Sequence, residues 1–212
     1  MTQAAAVLGG YLLGSLPFGY WLVRVFRGED IRTRGSGNTG ATNVLRLYGR
    51  RLGTSVALLD AAKGFTAAAF GLWAGGSLLG VLAGAAAMLG HARPVFLGFR
   101  KGGKMVATAG GAALAFAPLA ALSSLGIWLA VFFLTRYASV ASIATALAFP
   151  LLAWLYGASW PVLVFAFAGA AAIVLLHRHN VRRLVAGTEH RFHFGRPRGA
   201  SAKRVLRRIP RF

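Results

Sequence analysis

The sequence predicts an all-α, polytopic integral membrane protein of about seven transmembrane helices, some of them short, with the N-terminus outside and the C-terminus cytoplasmic. Three observations predict it. The chain of 212 residues is 57% hydrophobic with a mean hydropathy of +0.61, yet its formal net charge is +20. A soluble domain has no place for stretches such as Val106 to Leu134 beside that charge, whereas a membrane protein can gather its charges at one face. Apolar stretches of bilayer length also alternate with connections that are either cationic or neutral, so Lys and Arg orient every segment. Finally, the Gly, Asn and His clusters able to bind a ligand lie in or beside the cationic connections.

The first apolar segment runs from about Ala4 to Phe26. It has no basic residue before it and ends in Arg24 and Arg27, the reverse of a signal peptide's charge order. The loop from Arg27 to Arg51 is therefore expected on the cytoplasmic side. A second span runs from about Leu52 to Ala74, turns through the uncharged Gly75-Gly76-Ser77, and returns as a third from Leu78 to about Leu97. The apolar stretch from Met105 to Thr135 is long for one straight helix at about 1.5 Å per residue. Lys104 and Arg136, at its two ends, belong on one side, which predicts two short or half-depth helices breaking near Pro118. Two further spans, about Val140 to Tyr156 and Trp160 to Leu176, enclose the neutral turn Gly157-Ala158-Ser159. Residues 1–193 read as one membrane-embedded domain and residues 194–212 as a basic cytoplasmic tail suited to anionic lipid.

Three polar clusters share the cationic side. The first is Gly35-Ser36-Gly37-Asn38-Thr39-Gly40-Ala41-Thr42-Asn43-Val44-Leu45-Arg46. Its glycines allow tight turns that aim N–H groups at an anion, and its hydroxyls and amides supply neutral hydrogen bonds. Arg32, Arg34 and Arg46 add charge-assisted ones, and no carboxylate occurs from Ile31 to Leu59. The second, Gly90-His91 to Lys104, ends in Lys101-Gly102-Gly103-Lys104 just before a helix, where N–H groups, helix dipole and ammonium can converge on phosphate. Taken alone, such a turn equally suits gripping lipid headgroups. The third runs from His177 to Glu189; His177 and Asn180 are three apart and share one helix face. Glu189 reads as a structural partner of Arg182 or Arg183. Asp60 and Lys63 sit at helical spacing inside the second span, as a self-neutralising structural pair.

Composition removes several chemistries. The chain has no cysteine, so thiolate catalysis, thiolate metal sites and disulfides are absent. Its only acids are Glu29, Asp30, Asp60 and Glu189, too scattered for a Mg²⁺ site, and no metal or other cofactor is expected. Nucleic acid is not an expected partner for so apolar a chain, and no obligate protein partner is evident.

In this order and topology the clusters resemble the bacterial acyl-phosphate:glycerol-3-phosphate acyltransferases, the PlsY family. The resemblance rests on Ser36-Gly37-Asn38-Thr39-Gly40-Ala41-Thr42-Asn43 with Arg46, Asp60-Ala61-Ala62-Lys63-Gly64, Gly90-His91 to Lys104 with Val106-Ala107-Thr108, Arg136-Tyr137-Ala138-Ser139, and His177 to Glu189. It covers nearly all of the chain before about Phe194. Two departures stand in the second motif: Arg100 and Lys101 both precede the Gly-Gly pair where the family has one basic residue, and Met105 replaces a glycine.

The resemblance implies transfer of a fatty acyl group from acyl phosphate to the 1-hydroxyl of sn-glycerol 3-phosphate, at a cytoplasm-facing site in the bacterial inner membrane. It implies that Ser36, Gly37, Asn38, Thr42 and Asn43 hold the acyl phosphate. It further implies that Arg46, Lys104, His177 and Asn180 bind glycerol 3-phosphate and serve catalysis, with Ser142 a further member of that site and Glu189 ordering the third segment. No histidine here is followed, after four intervening residues, by aspartate, which excludes the His-x₄-Asp acyltransferase signature. The activated mixed anhydride suits direct attack without an acyl-enzyme. A transporter of phosphate or organic anions is the rival from another class, but such sites lie near the midplane between repeated halves, and no internal repeat is found.

Overall fold

The computed structural model describes residues 2–192; the basic tail and His193 lie outside the described residues. The described chain is all-helical: α1 (Thr2–Gly14), α2 (Phe18–Arg27), α3 (Ala41–Tyr48), α4 (Arg50–Ala92), α5 (Val106–Phe116), α6 (Pro118–Thr135), α7 (Ala138–Leu155), α8 (Trp160–Leu176) and α9 (Arg178–Val185), with short 3₁₀ turns at Ile31–Thr33 and Val95–Leu97. Four segments are long and apolar enough to cross a bilayer: Thr2–Arg27, Arg50–Leu97, Pro118–Thr135 and Ala138–Leu155. Trp160–Leu176 with Arg178–Val185 makes a fifth if the pair, bent by 53°, is one span.

The expected first span is not one straight helix. It breaks between α1 and α2 at Ser15–Pro17, because proline has no N–H for the ladder and its ring excludes the preceding turn. Lys63 Nζ donates to the Leu16 carbonyl at this break (2.9 Å). The third expected span also ends early, at Ala92, two residues before Pro94. Between the second and third spans the chain folds back at Gly75 (φ −169°, ψ 25°) and Gly76 (φ 74°, ψ −165°), so α4 is a hairpin with arms 50–74 and 77–92. The break at Pro118 falls where charge parity placed it, with Pro118 opening α6. At about 1.5 Å per residue, α5 is only about 16 Å long, half a hydrocarbon core.

Small residues let these helices approach closely, which replaces the missing hydrophobic drive between helices in lipid. Gly10 and Gly14 of α1 lie on Ala83 and Ala87, so α1 runs parallel to the second arm of α4. Gly71 faces the Leu79 and Gly80 backbone across the hairpin. Helix α5 wedges between the arms, with Gly111 on Ala61, Thr108 on Gly64 and Ala112 on Gly84. Phe116 meets Phe165 of α8 edge-on at 4.9 Å, closing the main core.

The neutral turns meet at one end, where Ser77 Oγ lies 2.8 Å from Ser159 Oγ. The cationic connections meet at the other, about 35 Å away along the first arm of α4 by helical rise. Polarity along the chain has become polarity along the molecule.

Candidate active site

The first glycine loop is pinned by its own amides. Gly37 takes a left-handed φ of 66°, which a side chain would strain, and α3 begins at Ala41. Asn43, in the first turn of α3 and almost fully buried, accepts from the Ser36 N–H (3.1 Å). Its Nδ2 donates back to the Asn38 and Arg34 carbonyls (2.9 and 3.1 Å). Asn38 accepts from the Gly40 N–H (2.8 Å) and donates to the Gly102 carbonyl (3.0 Å). Both amides are thus occupied in shaping the loop and joining it to the second cluster. The Ser36 and Thr42 hydroxyls make no hydrogen bond among the described residues.

Arg46 extends from the last turn of α3, its guanidinium 5.4 Å from the Phe192 ring centre. Its Nε is buried and has no hydrogen-bond partner among the described residues. Burial pulls the Arg46 pKa down, with Glu189 opposing and Arg183 adding to the shift. A desolvated guanidinium N–H without an acceptor costs about 1–3 kcal/mol or more, which an anion placed there would relieve.

Lys104 comes from the second cluster. Gly102 and Gly103 donate to the Ala92 and His91 carbonyls (each 2.9 Å), laying the turn along the end of α4. Met105 has a left-handed conformation (φ 69°), which favours glycine. Lys104 Nζ donates to Asn180 Oδ1. Burial pushes the Lys104 ammonium down to about 8; Glu189 opposes the shift, while Arg183, Lys101 and Arg46 add to it.

The third cluster supplies the counterweight. His177 sits where α8 turns into α9, and its Nδ1 lies 2.8 Å from the Ile173 carbonyl. An N–H must point there, so Nε2 is the lone-pair nitrogen. Glu189 Oε1 accepts from Asn180 Nδ2 (2.7 Å) and Ser139 Oγ (3.0 Å), and Oε2 from Arg183 Nε (2.7 Å). Burial raises the Glu189 pKa, but these three donors outweigh it and hold the carboxyl below its ordinary range.

The structure brings Ser36, Gly37, Asn38, Thr42, Asn43, Arg46, Lys104, His177, Asn180 and Glu189 into one connected cationic end. It does not tie Ser142 to that network: its hydroxyl donates to Ala138 (2.7 Å) and accepts from Trp128 Nε1 (3.2 Å). Ser139, three residues earlier on the same face, reaches Glu189 instead. Sequence reasoning missed it because a serine near a helix start carries no signal of a distant partner. Asp60 and Lys63 do pair, at 2.7 Å, with His91 Nδ1 3.5 Å from the same oxygen.

The glycerol-3-phosphate acyltransferase family model matches residues 4–187. The chain belongs to that family. A family member from Synechococcus sp. (strain JA-3-3Ab) is 50% identical over 191 residues, covering 90% of this chain and 94% of that one. One from Aquifex aeolicus (strain VF5) is 44% identical over 194 residues, covering 91% and 100%. Crystal structures of PlsY, an integral membrane glycerol 3-phosphate acyltransferase, share the fold. The TM-score is 0.87 at 42% identity for its glycerol 3-phosphate form and 0.84 at 40% for its lysophosphatidic acid form, each covering 91% of this chain and 96% of that one. The chain is thus a multi-pass membrane acyltransferase, with the family's sequence extending through α9.

Glu189→Gln removes the charge that Arg183, Asn180 and Ser139 share. It should cost about 1–3 kcal/mol, seen as a lower melting temperature in detergent at neutral pH. A carboxyl with a depressed folded pKa stabilises above its unfolded value and loses that contribution as pH falls through the folded one. The gap between parent and variant should therefore close in acid, and equal melting temperatures at neutral pH would refute the role.

Proposed function

We propose that this acyltransferase uses acyl phosphate as donor and transfers its fatty acyl group to the 1-hydroxyl of sn-glycerol 3-phosphate. The products are lysophosphatidic acid and inorganic phosphate. The observation that carries the reading is Arg46 Nε, a buried cationic donor with no acceptor among the described residues, in the same cationic end as Lys104 and His177 Nε2. Two phosphorylated substrates need such a place. The acyl chain gains about 0.8 kcal/mol per buried methylene, so a site embedded in the membrane gathers its lipid substrate from the bilayer.

In this reading Arg46 and Lys104 hold the phosphate of glycerol 3-phosphate. The Ser36 and Thr42 hydroxyls hold the acyl phosphate at the turn that Gly37 makes, while Asn38 and Asn43 keep that loop in shape. The glycerol hydroxyl oxygen attacks the acyl carbonyl carbon, the bond from that carbon to the phosphate oxygen breaks, and phosphate leaves with the electron pair. The hydroxyl proton passes to His177 Nε2 or to a phosphate oxygen. Cations preorganised around the leaving phosphate and the developing oxyanion stabilise the transition state, and no covalent acyl-enzyme forms. Asn180 orients Lys104 and is itself held by Glu189. Ser142 supports the α6–α7 wall.

We also place the cationic end on the cytoplasmic side of the bacterial inner membrane, with seven segments, the N-terminus outside and the C-terminus inside. The positive-inside rule supports this for every connection, as does the meeting of the neutral turns at the opposite end. Residues 1–193 form the acting domain, and residues 194–212 are a basic tail whose partner is anionic lipid.

The reading is tested with purified protein, glycerol 3-phosphate and three donors in parallel: acyl phosphate, acyl-CoA and acyl-carrier protein. Product should form with acyl phosphate; use of acyl-CoA alone would overturn the donor, and an acyl group trapped on the protein would overturn direct attack. The pH profile has a defined sign. Lys104 must carry its proton to bind phosphate, so kcat/KM for glycerol 3-phosphate should fall as pH rises through about 8. Lys104→Arg, which keeps its charge, should abolish that fall.

A further inference from the structure

The buried ionisable residues of α4 have no part in the mechanism above, and they form a larger unit than a pair. Asp60, Lys63 and His91 are all nearly inaccessible, with side-chain exposures of 3%, 1% and 7%. Asp60 Oδ1 faces both Lys63 Nζ, at 2.7 Å, and His91 Nδ1, at 3.5 Å. Lys63 Nζ also donates to the Leu16 carbonyl (2.9 Å) at the break between α1 and α2. The network therefore joins both arms of α4 to the first broken segment. Ionisable groups at such depth are costly unless paired, and these pair with one another.

The other end of His91 leads to the site. Its ring lies directly beneath Gly103: a side-chain carbon on Gly103 would fall onto Nε2. The His91 carbonyl accepts the Gly103 N–H, and the Ala92 carbonyl accepts the Gly102 N–H (each 2.9 Å). The Gly102 carbonyl in turn accepts from Asn38 Nδ2 (3.0 Å). One residue further on is Lys104.

We propose that His91, held in place by Asp60 and Lys63, is a positioning residue for the reaction: its ring is the floor that fixes the height of the Gly102-Gly103 turn. That height sets Lys104 Nζ against Asn180 and keeps the turn joined to Asn38. The inference rests on the reading of Lys104 as the cation that binds glycerol 3-phosphate. Asp60 and Lys63 act one step further back, by orienting the ring.

His91→Asn tests this. The shorter amide keeps an N–H near the Nδ1 position to face Asp60 but leaves no ring under Gly103. KM for glycerol 3-phosphate should rise about tenfold with kcat changed far less, because a displacement of about 1 Å already costs up to about 100-fold in such sites. The melting temperature in detergent should stay close to the parent's. In a Lys104→Ala background, where the cation that the floor positions is gone, the same substitution should change KM less than about twofold, since coupled sites are not additive.

An equal rise in KM in both backgrounds, or an unchanged KM in the parent background, would overturn the proposal. If His91→Asn lowers the folded yield, His91→Gln, which returns an amide toward the Nε2 position beneath Gly103, should restore KM; failure to do so would also overturn it. A parent protein that forms no product from acyl phosphate would instead sink the donor reading, which separates the two failures.

Discussion

Glu189 is the sole carboxylate shown acting on the charge of the site cations Arg46 and Lys104, and the architecture of the site depends on it. It binds Ser139 from α7, Asn180 and Arg183 from α9, and through Asn180 reaches Lys104 at the head of α5. A buried carboxylate is stable only with several donors, and here it has three. Against this single negative charge stand Arg46, Lys104 and Arg183, so the site remains short of anions. The cationic surplus is binding energy held ready for phosphate; burial first, and the neighbouring cations after it, push the Lys104 ammonium down to about 8.

The membrane supplies the other constraint. Loops of this kind can be buried at the end of a helical bundle only if their backbone groups find partners. The first glycine loop meets that demand with Asn38 and Asn43, and the second with the carbonyls of His91 and Ala92. The Asn38 amide joins the two loops through the Gly102 carbonyl, so each holds the other in place. Loops held in this way next to lipid suit a reaction between a soluble phosphate and a membrane-dissolved one, in which positioning counts for more than nucleophile activation.

Much of this was legible in the chain. Neutral turns at Gly75-Gly76-Ser77 and Gly157-Ala158-Ser159 and the break at Pro118 follow from charge parity and proline chemistry, and they fall where expected. The spacing of His177 and Asn180 foretold one shared face, and both are buried. The break at Pro17 was hidden because hydropathy is averaged over a window and does not register a lost N–H within it. Asn38 and Asn43 could be read only as hydrogen-bonding residues; that their amides are occupied by the backbone is a fact of loop geometry. Ser139 and His91 stood in the quoted motifs, but their partners were hidden for a related reason, since each acts through a residue thirty or more positions away.

The central claim is that phosphate is held between cations from separate segments, with Arg46 Nε as the donor that waits for it. A structure of this chain with glycerol 3-phosphate bound tests it directly. The account predicts phosphate oxygens within about 3 Å of both Arg46 Nε and Lys104 Nζ. A phosphate seated elsewhere, with Arg46 Nε still facing no acceptor, would contradict it.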